Sequence, residues 1–153
     1  MSCQPLPLPQ PELLLTELQA VLPEVRLSPT PQAHEWHLQL GAHTIRLRWL
    51  GRPARIELAL QAGRLPADTP VNVYRALLAY NGLAGLSRNL RMGTEGSGEN
   101  LFVLSDQPAG QCSTTELQAA LLDLIDAAQS VQIWLHVQLD RELATTSEMM
   151  AIH

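Results

Sequence analysis

The stretch that decides the fold is Glu35-Trp36-His37-Leu38-Gln39-Leu40-Gly41-Ala42-His43-Thr44-Ile45-Arg46-Leu47-Arg48-Trp49. Trp36, Leu38 and Leu40 alternate with Glu35, His37 and Gln39; beyond the Gly41-Ala42 link, Ile45, Leu47 and Trp49 alternate with Arg46 and Arg48. Successive side chains of an extended strand project to opposite sides, so a period of two describes strands with one buried and one wet face. Ile56, Leu58 and Leu60 repeat the pattern against Arg55 and Glu57. Short glycine-containing links, Gly41-Ala42 and Gly51-Arg52-Pro53, make a three-stranded meander the economical connection.

Toward the N-terminus, Ser28 to Gln32 carries two prolines and reads as a loop. Before it, Leu14, Leu15, Leu18, Val21 and Leu22 recur at helical spacing behind Pro11, which predicts a helix over 11–22. The leader 1–10 alternates proline with leucine; without amide hydrogens at its prolines it cannot be helical and reads as an extended, mobile arm.

Toward the C-terminus, Thr69-Pro70 is a helix-start signal, and Tyr74, Leu77, Leu78 and Asn81 continue one stripe up to Gly82, which predicts a helix over 70–81. Leu86, Leu90 and Met92 lead into a glycine-rich turn and Leu101 to Leu104 leave it, the pattern of a hairpin. Ser113 followed by Glu116 is a capping box. Behind it Leu117, Leu121, Leu124, Ile125, Ala128, Val131 and Leu135 form a stripe that predicts a helix over 114–138. From Asp140 the stripe lapses, and 140–153 reads as a mobile tail. The expected fold is α+β in the order α-βββ-α-ββ-α, a five-stranded antiparallel sheet covered by helices, as one domain over 11–139.

At 153 residues the chain can bury a core without metals or disulfides, and with only six aromatic residues that core must be largely aliphatic. No apolar run approaches the ~18 residues of a spanning helix and no signal-peptide layout is present, so the chain reads as soluble and cytoplasmic. Cys3 and Cys112 lack metal-ligand spacing and read as reduced thiols. A formal charge of -5 argues against nucleic-acid binding, which gains affinity from excess cations. All basic residues are arginines, every one but Arg141 between Arg26 and Arg91, whereas nine carboxylates follow from Glu95 onward. An acidic helical side and a more basic strand side are expected.

Reactive groups do not converge. The stretch Gly93 to Glu99 lacks the Gly-Lys-Ser/Thr ending of a phosphate loop and carries two carboxylates. His34 and His37 stand an odd number of strand positions apart and so face opposite ways, against a zinc site with His43. Ser113 is accounted for by capping and has no Gly-x-Ser-x-Gly surround. No catalytic residue, metal ligand or cofactor is expected. Arg46, Arg48, Arg55 and Arg52 would share the wet face of the meander, either as a solvated surface or as a docking surface for an acidic segment.

The order of elements, the acidic balance, the chain length and the amphipathic last helix resemble the class I chaperones of bacterial type III secretion. The closest local match runs from Val71 to Leu139: Tyr74-Arg75-Ala76-Leu77-Leu78-Ala79-Tyr80-Asn81, the hairpin around Leu90 and Leu101-Phe102-Val103-Leu104, and the last helix with Ala127-Ala128 and Trp134. The leader and the residues after Asp140 have no counterpart in that family. The resemblance implies a homodimer in the bacterial cytoplasm, joined through the second helix and the strands after it. It also implies that the N-terminal segment of a secreted effector wraps around the dimer in extended form, without ATP. On this footing the groove candidates are Leu15, Leu18, Leu38, Leu47 and Leu58, with Arg46 and Arg48 beside them; the dimer candidates are Tyr74, Leu77, Leu78 and Phe102. Two other readings compete: a regulatory adaptor sequestering an activator or another chaperone, and a small enzyme using His37 or His136 with scattered carboxylates.

Overall fold

The computed structural model describes residues 11–51, 54–84 and 89–151. The leader with Cys3, and Arg52, Pro53 and Leu86, each named above, lie outside the described residues. The element order is α1 (Pro11–Val21), β1 (Arg26–Pro29), β2 (Glu35–Leu40), β3 (His43–Leu50), β4 (Arg55–Arg64), α2 (Val71–Ala84), β5 (Leu90–Glu95), β6 (Asn100–Pro108) and α3 (Thr114–Ala151), with a 3-10 turn at Ala109–Gln111. The strands form one six-stranded sheet in the order β1-β2-β3-β4-β6-β5, antiparallel in the pairings β1–β2, β2–β3 and β5–β6.

The class α+β holds, but the sheet has six strands where five were expected. The added strand is β1, whose Leu27 pairs with Leu38. Its prolines suggested a loop; Pro29 is tolerated because β1 is an edge strand with one side free of ladder bonds. The second difference is the length of α3, which continues to Ala151 through most of the expected tail. Apolar periodicity reports what a helix buries, whereas continuation needs only the absence of breakers; residues 114–151 contain neither glycine nor proline. Likewise α2 passes through Gly82, at a cost of about 1 kcal/mol, and ends at Ala84.

The chain divides into two compact units, Met1–Leu58 with Asp106–Leu121 and Ala59–Ser105 with Leu122–His153. In the first unit Leu38, Ile45, Leu47, Ile56 and Leu58 are closed from solvent, together with Leu15 and Leu18 of α1 and Leu117 and Leu121 of α3. Burying each such leucine contributes about 2 kcal/mol. The register Trp36↔Leu47 and Leu38↔Ile45 puts the apolar positions of the meander on one face, as the alternation requires. Gly41, at φ +59°, makes the two-residue β2–β3 turn in a conformation that side chains with a Cβ rarely adopt. The capping box is formed: the Ser113 N–H donates to Glu116 Oε2 at 3.2 Å and the Glu116 N–H to Ser113 Oγ at 3.1 Å. The Thr114 hydroxyl donates to Glu17 Oε2 at 3.0 Å, fixing the start of α3 to α1.

In the second unit Leu60, Ala62, Leu90, Met92, Leu101 and Val103 of the strands are buried, as are Val73 and Leu77 of α2 and Leu124, Ala128, Val131 and Leu135 of α3. Gly63 stands at a close approach: a Cβ there would lie 2.9 Å from Leu135 Cδ2, so that side chain would have to shift. The hairpin turn uses Gly96 and Gly98, both at positive φ. The end of α2 is fixed to β5 by the Asn81 side chain, whose amide nitrogen donates to the Met92 carbonyl at 3.0 Å and whose oxygen accepts from the Met92 N–H at 2.6 Å.

Candidate partner-binding surfaces

The five groove candidates are core residues. Leu15, Leu18, Leu38, Leu47 and Leu58 are 6%, 0%, 0%, 1% and 0% exposed, each on the inward stripe of its element. Alternation identified the apolar face correctly but could not distinguish a face already covered from one left open.

The apolar surface of the first unit lies beside those leucines. Leu13 of α1 is 62% exposed. With Leu14, Glu17, Trp49, Ala109 and Cys112 it lines a cleft of about 210 Å³. The sequence carried a signal for it: in Leu13-Leu14-Leu15, consecutive helical positions rotate by about 100°, so one of three adjacent leucines must leave the core. Burial pushes the Cys112 thiol above its usual range, aided by the Glu116 carboxylate, and its Sγ stands 3.6 Å from the Ser113 carbonyl.

On the opposite face of the meander, Arg48 is not a free cation. Its Nε donates to Glu35 Oε2 at 2.9 Å and its Nη1 lies 3.8 Å from Glu57 Oε1, with both carboxylates nearly buried. Glu35 is the register partner of Arg48, and the three charges join β2, β3 and β4. Arg46 is half-buried on the same face. An acidic segment would meet Arg48 already neutralised.

The four dimer candidates do not make one patch. Tyr74 and Leu78 project from α2, 38% and 70% exposed, and with Asn81, Gly93, Thr94 and Leu101 they line a cleft of about 240 Å³ along β5. Leu77 is buried beneath them. Phe102 is half-buried and alternates with the buried Leu101 and Val103, so it occupies the reverse face of its strand. Val71, 65% exposed, extends the outward face of α2. Among the described residues β1 and β5 have one neighbouring strand each; at β5 the Asn81 side chain already takes both backbone groups of Met92, so β1 has the freer side for an extended segment to add to.

Among the described residues no group of three or more His, Cys, Asp or Glu side chains is arranged to hold a metal ion. His37 belongs to the first unit and is exposed on β2; His136 belongs to the second and pairs with Asp140 at 3.4 Å. No described helix is long and apolar enough to cross a membrane.

No protein-family model matches the chain, and no curated protein does. Solved structures do. The chain is similar to one in the HopA1–SchA chaperone–effector complex, with a TM-score of 0.65 and 15% identity over 79% of this chain and 91% of that one. It is similar to a chain in the complex of the Yersinia pestis type III secretion chaperone SycH with a fragment of YscM2, at 0.61 and 18% over 78% and 97%. A third likeness is to a chain of the heterodimeric ExoU–SpcU complex from the type III secretion system of Pseudomonas aeruginosa, at 0.57 and 18% over 76% and 93%. The fold is the one found in type III secretion chaperone complexes.

Proposed function

We propose that this protein is a type III secretion chaperone that binds the N-terminal segment of a secreted effector as an extended chain and keeps it soluble and secretion-competent. The observation that carries the reading is the fold shared with chaperone–effector complexes, together with exposed apolar surface where an enzyme would carry convergent reactive groups. An extended segment would gain main-chain hydrogen bonds along an open strand side and place apolar side chains against Leu13, Leu14 and Trp49. Ordering such a segment costs conformational entropy, so the contact must be long. Two copies of the chain would pair through Val71, Tyr74 and Leu78 of α2.

The test is affinity purification from the native host with mass spectrometry of what is retained, followed by proteolysis of the complex. A retained partner whose N-terminal region resists protease, bound to a dimer, is the expected result. Replacement Leu13→Asp should release the partner while leaving the dimer intact, and Leu78→Asp should yield monomers. An inert monomer that retains nothing would overturn the reading. A partner that is a transcriptional regulator instead would establish the adaptor role on the same surfaces.

A further inference from the structure

The second unit carries an apolar surface that serves neither its core nor an open strand side. Helix α3 turns Leu122, Ile133 and Val137 outward, 55%, 68% and 41% exposed. At about 100° per residue these positions fall within about 60° of arc, so they form one stripe about 22 Å long. Trp134 flanks the stripe, and with Val131 it forms one wall of a cleft of about 430 Å³ whose other residues include Ala76, Ala79, Tyr80 and Met92. Two further clefts, of about 210 Å³ and 240 Å³, were described above. A stripe continuous with a cleft, four helical turns long, suits a helix better than a small molecule.

The charge beside the stripe is predominantly negative, with the exposed Arg141 as the cation of α3 on that side. From Leu122 onward α3 carries Asp123, Asp126, Asp140, Glu142 and Glu148 against Arg141. Asp123, Asp126 and Asp140 are exposed and share the side of α3 that holds the stripe. His136 pairs with Asp140, and α2 adds a single charge, the exposed Arg75. No described helix complements such a surface: α1 carries Glu12 and Glu17 without a base, α2 has Arg75 alone, and a second α3 would set aspartates against aspartates. Apolar side chains flanked by carboxylates call for an apolar side flanked by cations.

We infer that the outward face of α3, with the cleft between α3 and α2, docks a basic amphipathic helix of another protein. This surface uses none of the residues of the Leu13–Trp49 cleft, so the inference goes beyond effector capture there and does not depend on it.

The test is fluorescence anisotropy on the full chain with a labelled, about 15-residue helical peptide of leucine and lysine, and with its leucine–glutamate counterpart. The lysine peptide is expected to bind, more weakly as salt is added, and the glutamate peptide not to bind. The variant Asp123→Asn/Asp126→Asn/Asp140→Asn should weaken binding about tenfold. The charge-matched control Glu12→Gln/Glu24→Gln/Asp68→Asn should leave it within about twofold of the unaltered chain. Ile133→Ser/Val137→Ser, at exposed positions, should abolish it. Equal loss in the control triple, equal binding of the glutamate peptide, or no binding of the lysine peptide would overturn the inference. So would a dimer that becomes monomeric in Ile133→Ser/Val137→Ser, since a second copy would then be what covers the face.

Discussion

The Asn81 side chain satisfies both backbone groups of Met92, standing in for a neighbouring strand at one residue of β5. Asn81→Leu would leave a partly buried N–H and C=O unpaired and should cost about 2 kcal/mol, read as a lowered urea midpoint. Asn81→Asp should also lose stability at neutral pH, because a carboxylate can accept from the N–H but has no hydrogen to give the carbonyl. Hydrogen exchange should locate the loss at β5 and the end of α2.

Gly63 and Leu135 are a packed pair. Gly63→Ala should destabilise by about 1 to 2 kcal/mol, since Leu135 is 4% exposed and has little space into which to move. Combining it with Leu135→Ala should cost less than the sum of the two single losses, and a double-mutant cycle by chemical denaturation measures that coupling.

Arg48 holds two nearly buried carboxylates that a cation must compensate. Arg48→Met should lower stability by about 2 kcal/mol, and adding Glu35→Gln should restore part of the loss. A variant as stable as the unaltered chain would mean that the network contributes nothing beyond its geometry.

Cys112 has its thiol held protonated, first by burial and second by the Glu116 carboxylate. In a Cys3→Ser background, labelling by a disulfide reagent near pH 8 should be several-fold slower than for a small free thiol and should rise as pH rises above the thiol's usual range. Glu116→Gln should speed labelling in part only, because burial is the larger cause.

Much of this architecture was legible in the residues. The alternation from Glu35 to Trp49, the glycine turns and the Ser113–Glu116 pair all act through local geometry, which sequence spacing records directly. Strand β1 escaped because four residues ending in proline carry no period, and its pairing is dictated by β2 rather than by itself. The surfaces were harder to see. Leu38 and Leu47 have the same spacing whether covered or bare, and only their burial in the folded unit tells the two apart. Crowding was the better guide: Leu13-Leu14-Leu15 and Ile133-Trp134-Leu135 are each too wide a block of apolar residues for one helix to hide, and each leaves a residue outside.

Each compact unit is assembled from two separate stretches of chain, and the first is completed only by Asp106–Leu121. During synthesis the meander is therefore made well before Leu117 and Leu121, the first of which follows Leu58 by about 60 residues. The nascent chain of a protein read as a guardian of others is thus itself exposed to aggregation while residues 59–116 are being made.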